Sequence, residues 1–244
     1  MNARALIGAA IVSIAFTVTG CLNPPGRPAA DSTPVAPDKV LDFDSLYRKN
    51  CAGCHGQNGK GGAAIGLADP LYLAFADTAA IRNATANGVT GTAMPAFAQS
   101  AGGLLTDAQI DAIVQGMQTR WSSSSALPHA PVPPYPSAAP GNTSQGAEAF
   151  HTFCAACHGP AGKGGPGGGS IVDPAFLALV SDQGLRTTVI VGRSDLGSPN
   201  WCGDVQDKCM SPQEISDVVA WLGSKRVAFP GQPYVTNARP DGAQ

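Results

Sequence analysis

The stretch Asn50-Cys-Ala-Gly-Cys-His-Gly-Gln-Asn-Gly-Lys-Gly-Gly62 returns later in the chain as Phe153-Cys-Ala-Ala-Cys-His-Gly-Pro-Ala-Gly-Lys-Gly-Gly165. The likeness runs on, with Ala68-Asp-Pro-Leu-Tyr-Leu-Ala74 answering to Val172-Asp-Pro-Ala-Phe-Leu-Ala178, Arg82 to Arg186 and Gly88 to Gly192. Self-similarity over such a span marks one folding unit present twice. It predicts tandem domains over 41–121 and 144–226. Around them the composition changes: an apolar leader over 1–20 with a single charge at Arg4, a proline-rich tether over 21–40, a Pro/Ser-rich linker over 122–143 and a tail over 227–244.

Each repeat holds Cys-x-x-Cys-His, as Cys51, Cys54, His55 and as Cys154, Cys157, His158. Two thiols one helical turn apart can add to the two vinyl groups of a haem, and the adjacent imidazole then reaches the iron. A zinc site would need four ligands closing on one ion, and a thioredoxin-like dithiol would need a βαβ context that the sequence lacks. The duplicated spacing therefore points to two covalently attached haem c groups, with His55 and His158 as iron ligands.

Helix signals surround these motifs. Asp107 to Arg120 places Ile110, Ile113, Val114 and Met117 on one face, and Pro212 to Lys225 does the same with Ile215, Val218, Val219 and Leu222. Thr106 with Gln109, and Ser211 with Glu214 and Pro212, form capping boxes at their starts. Shorter helices over 43–50 and 145–153 run into the haem motifs. No β-rich stretch competes, so the expected fold is all-α. With 6% aromatic residues, cores this small would lean on the haem for apolar interior.

In these features the sequence resembles the class I c-type cytochromes, in particular dihaem cytochromes and the dihaem subunits of haem-copper oxidases. The resemblance covers both repeats and implies two cytochrome c-like helical domains, each around its haem. Met94, in Gly91-Thr-Ala-Met-Pro-Ala-Phe97, resembles the Met-Pro distal loop of the family and is expected to be the sixth ligand of the first iron. The second repeat departs here, because Gly197-Ser-Pro-Asn-Trp201 puts Ser198 where Met94 stands. Met1 belongs to the leader and Met117 to an apolar helix face. Met210 is left with two readings: a ligand of the second iron, or a hydrophobic staple before Ser211 matching Leu105. Without it, the second iron is five-coordinate or holds water.

Cys202 and Cys209 lie in that same loop, and disulfide pairing is expected, with a redox-active dithiol as the alternative. The uncharged run 5–20 after Arg4 reads as a secretory signal, and Val18-Thr19-Gly20-Cys21 resembles a lipobox in which Cys21 is lipidated. An ordinary signal peptide with Cys21 nearby by chance is the other reading. His129, in the linker, is read as solvated, and His151, three residues before Cys154 in the helix, as pointing away from the distal face.

The 244 residues carry a formal charge of −2 and 13% charged side chains. That excludes a basic nucleic-acid footprint, and a single apolar run excludes a polytopic membrane protein. The expected function is single-electron transfer between donor and acceptor proteins at a membrane, by a lipid-anchored, periplasm-facing carrier or subunit of a respiratory complex. Leu22 after Cys21 slightly favours the outer membrane. A haem enzyme or gas-binding module using an open second iron is the competing class.

Overall fold

Each long helix begins where a short polar side chain in extended backbone accepts a hydrogen bond from its own first turn. The computed structural model describes residue 26 and residues 34–122, 130–203, 205, 208–228 and 230. Asp42 caps α1 (Phe43–Asn50), which runs directly into the one-turn α2 (Ala52–His55). Asp69 and Asp77 cap α3 (Pro70–Phe75) and α4 (Thr78–Asn87). Thr106 and Gln109 close a full capping box on α5 (Asp107–Trp121).

The second repeat follows the same order. Asn142 caps α6 (Thr143–Phe153), which leads into α7 (Ala155–His158), and Asp173 and Ser181 cap α8 (Pro174–Ala178) and α9 (Asp182–Val191). Ser211 and Glu214 form the second capping box, on α10 (Pro212–Gly223). Among the described residues there is no strand, only isolated pairings such as Ala98 with Leu105 and Arg193 with Ser198. The fold is all-α, two tandem domains of the same design. Three helix limits differ from expectation. α5 runs one residue further, to Trp121. α6 starts at Thr143 because Asn142 accepts from both Ser144 N and Gln145 N, and α10 ends at Gly223, where Lys225 N and Arg226 N turn back onto Leu222 O and Gly223 O.

In each domain the first helix crosses the last, and the crossing needs one large and one small residue. In the first domain α5 offers Gly116 to the ring of Phe43, and a Cβ on Gly116 would lie 2.1 Å from that ring. In the second domain the sizes are exchanged between helices. Gly146 of α6 faces α10, where a Cβ would lie 2.0 Å from Asp217 O and 2.8 Å from Trp221 Cβ. Close backbone approach without a side chain is what glycine supplies here. Phe150 then stacks on Trp221 with centroids 4.3 Å apart.

The linker does more than separate the domains. Its described part lies along the second domain: Arg186 donates to Pro134 O and Tyr135 O, Gln183 to Tyr135 O, Gln213 to Pro140 O, and Asn142 N donates to the buried Asp217. The Tyr135 ring meanwhile packs on Phe75 of the first domain, centroids 5.0 Å apart. The end of the tether is held too, since Gln109 Nε2 donates to Pro37 O and Val40 O. The leader 1–20, Cys21, His129 and residues 231–244 lie outside the described residues.

The domains also meet through an ion pair. Arg193 grips Asp195 with two hydrogen bonds of 2.9 Å and reaches Gly62 O (2.7 Å) and Ala63 O (3.4 Å) in the first domain, while Asp195 accepts from Gly61 N (2.9 Å). Ser194 adds a bond to Asp69. The Arg193 hydrogen bonds, with smaller help from Gly61 N, hold the Asp195 carboxyl down to about 2 from its ordinary 3.8. A carboxyl lowered on folding stabilises the fold above its unfolded value, and the contribution is lost as pH falls through the folded one. Asp195→Asn is therefore expected to cost on the order of 1 kcal/mol at pH 5, solvent screening the pair on its exposed turn, with the gap closing between about pH 4 and pH 2. Denaturant unfolding of both chains across that window checks it; a gap independent of pH would count against it.

Candidate functional site

α1 delivers Cys51, Cys54 and His55 as a unit. Cys54 N and His55 N both bond back to Cys51 O, at 3.2 and 3.0 Å, so the three side chains leave a single helical turn. His55 is buried, and its Nδ1 lies 2.8 Å from Ile65 O. A carbonyl only accepts, so Nδ1 carries the proton and Nε2 keeps a free lone pair. Burial is the main reason the imidazolium is disfavoured at His55, and the Arg193 guanidinium adds to it. Burial, reinforced by Cys54, also pushes the Cys51 thiol up to about 11, so it stands as a thiol near neutrality.

The second site repeats this geometry with a looser wall. Cys157 N and His158 N bond to Cys154 O, and His158 Nδ1 lies 2.8 Å from Gly169 O. His158 is half-buried where His55 is buried. The loop behind it has one more residue than its counterpart and is built of glycines: a Cβ on Gly168 would lie 2.6 Å from the His158 ring. In both repeats the last glycine of the quoted motif packs on the helical turn itself, since a Cβ on Gly62 would lie 2.2 Å from Cys54 O and one on Gly165 2.5 Å from Cys157 O. That contact explains the last glycine of the Gly-Lys-Gly-Gly signature.

Two thiols and one imidazole with a committed Nδ1, leaving one helical turn, fit a covalently attached haem whose iron takes Nε2. Around the first site the Tyr47 hydroxyl, which burial pushes up to about 12, donates to Gly56 O at 2.8 Å and fixes the exit of the turn. The second domain has Phe150 at that place and lacks this bond. Among the described residues no three His, Cys, Asp or Glu side chains are grouped to hold a bare metal ion.

Two backbone bonds recur at equivalent places in the distal loops. Val89 N donates to Met94 O at 3.0 Å, and Arg193 N to Ser198 O at 3.0 Å; Leu105 N donates to Phe97 O at 2.8 Å, and Met210 N to Trp201 O at 2.9 Å. Ser198 thus holds the place of Met94, and Met210 that of Leu105. Met94 is half-buried, whereas Met210 is 4% exposed and Leu105 5%, both within the apolar core. A disulfide joins Cys202 to Cys209 in the same loop. His151 is exposed on α6. The Arg193–Asp195 pair was not anticipated, although the repeats differ there, with Val89 and Gly91 as counterparts.

Residues 38–115 match the family described as cytochrome c oxidase, cbb3-type, subunit III, and residues 143–225 match the family described as cytochrome c. A curated relative, the cbb3-type cytochrome c oxidase subunit FixPc of Rhizobium leguminosarum bv. viciae, is 28% identical over 190 residues, which are 73% of this chain. The chain spans 59% of that relative's length. Among solved structures, a chain of the Kuenenia stuttgartiensis reducing HAO-like protein complex is 16% identical, over 80% of this chain and 98% of its own, with a TM-score of 0.42. The thiosulfate dehydrogenase TsdBA of Marichromatium purpuratum is 19% identical, over 81% of this chain and 48% of its own, with a TM-score of 0.30.

Proposed function

Because the chain is a dihaem class I c-type cytochrome with two covalently bound haems, we propose that it relays single electrons between redox partners of a membrane-bound respiratory complex. The bound iron supplies a one-electron couple. The chain's own residues would hold it: Cys51 and Cys54, then Cys154 and Cys157, as thioether anchors, with His55 and His158, oriented through Ile65 O and Gly169 O, and Met94 as ligands to iron. Buried His55 and the Tyr47–Gly56 bond keep the first proximal wall dry and fixed, which limits reorganisation when charge changes.

The observation that carries this reading is the paired proximal geometry, two imidazoles with Nδ1 committed and Nε2 left for iron. Likeness to an oxidase subunit favours electron carriage over a haem enzyme or gas-binding module. Export and a lipid anchor at Cys21 belong to the same proposal and are supported by the lipobox-like run before it. No helix among the described residues is long and apolar enough to cross a membrane.

Haem and protein quantified together, with visible spectra of the reduced protein before and after carbon monoxide, test the reading. The expected result is two haems per chain, two one-electron waves, and a carbon monoxide adduct on about half of the haem, because Ser198 offers no thioether. A chain without haem would overturn it. A single haem would overturn the assignment of one of the two sites.

A further inference from the structure

The first site's proximal loop and the second site's distal loop meet at the Arg193–Asp195 pair. On one side, Arg193 donates to the carbonyl of Gly62, the residue packed on Cys54 O and on the backbone between His55 and Gly56. The same loop bonds onward, Ala64 N to Cys54 O and His55 Nδ1 to Ile65 O. On the other side, the backbone of Arg193 exchanges two 3.0 Å bonds with Ser198, the residue in the place of Met94. Only one layer of backbone separates a guanidinium of the second domain from the first domain's haem-binding turn.

The side chains of the pair are 12% and 13% exposed, although Asp195 lies on an exposed turn, so salt screens the pair in part. The first repeat has Val89 and Gly91 at these places, and its own distal loop carries no such charges. Of the two copies of this loop, only the one facing the other domain's proximal turn has acquired the ion pair.

We propose that Arg193 and Asp195 are positioning residues for the first haem, setting its reduction potential from the neighbouring domain and making the two domains one redox unit. A fixed cation behind His55 stabilises the reduced, less positive site and raises its potential; the carboxylate of Asp195 opposes it. Together they set a value that the first domain alone does not have. The pair contributes no electron and touches no substrate. The Arg193 side chain reaches the first domain's Gly62 O, while only its backbone bonds to Ser198.

This inference rests on the two-haem reading above, and its test separates the two. Redox titration of the full holoprotein resolves two waves, recorded for the parent, Arg193→Met, Arg193→Lys and Asp195→Asn. Arg193→Met is expected to move one wave down and Asp195→Asn to move the same wave up, each by about tenfold in the electron distribution between the haems, or about 59 mV for one electron. Arg193→Lys, which keeps the charge but loses the two-pronged grip, stays nearer the parent than Arg193→Met. Shifts of opposite sign cannot come from loosening alone. Both variants moving the wave in the same direction, or neither moving it, overturns the inference; a parent with fewer than two haems overturns the functional reading instead.

Discussion

Replacing Met94 by alanine is expected to lower the reduction potential of one haem sharply and to raise the carbon monoxide-reactive share from about half of the haem to nearly all of it. The direction follows from what the side chain supplies. A thioether is a soft donor that favours ferrous over ferric iron, and alanine leaves water or nothing in its place. The backbone aims it: Met94 N donates to Thr92 Oγ1 at 3.1 Å, Met94 O accepts from Val89 N, and a Cβ on the facing Gly88, whose φ is +68°, would lie 2.7 Å from that oxygen. Pro95 keeps the residue before it extended. Met210→Leu is the paired control. Since Met210 occupies the place of Leu105, that exchange conserves core volume and leaves both waves and the carbon monoxide-reactive share unchanged. If Met210→Leu alone raised that share, Met210 would be a ligand and the equivalence with Leu105 would fail functionally.

Gly146→Val is expected to destabilise the second domain strongly. The added side chain would start 2.0 Å from Asp217 O and 2.5 Å from Asp217 C, and backbone in mid-helix cannot step aside as a side chain can. Either α6 and α10 separate, uncovering Phe150 and Trp221, or the helix distorts. The cost is on the order of 3 kcal/mol, which in a domain of this size lowers Tm by roughly 12–24 °C. Gly116→Ala in the first domain adds a single carbon against the Phe43 ring and its Cβ at 2.8 Å, so a smaller but clear drop is expected. Thermal unfolding of the holoprotein followed by circular dichroism checks both. Equal drops would show that backbone and side-chain obstruction cost the same here.

What was legible beforehand is what short stretches encode. The capping boxes at Thr106 and Ser211 need only four residues each, and α5 begins at the expected residue for that reason. The duplicated Cys-x-x-Cys-His turn is likewise local, as is the placing of Ser198 against Met94. The exchanged sizes at the helix crossings were in plain view once the repeats are aligned, with Phe43 over Gly146 and Gly116 over Trp221, but nothing local says that these positions touch. The docking of Pro134 and Tyr135 onto Arg186 was hidden by composition, because a proline-rich segment looks the same whether it floats or lies in a groove. The Arg193 grip on Gly62 joins residues far apart in the chain and leaves only an odd substitution between copies as its trace.

The Cys202–Cys209 bridge places opposite chemical demands on one maturing polypeptide. Four cysteines have to meet haem as thiols, while two others have to be oxidised. The two partners are separated by seven positions, far closer along the chain than either is to Cys157. Short loops close more readily than long ones, so Cys202 and Cys209 are favoured to pair with each other over either one pairing with Cys154 or Cys157. Spacing thereby protects the second haem site from cross-pairing with the distal loop, while Cys154 and Cys157, only three positions apart, have to be held reduced until haem arrives.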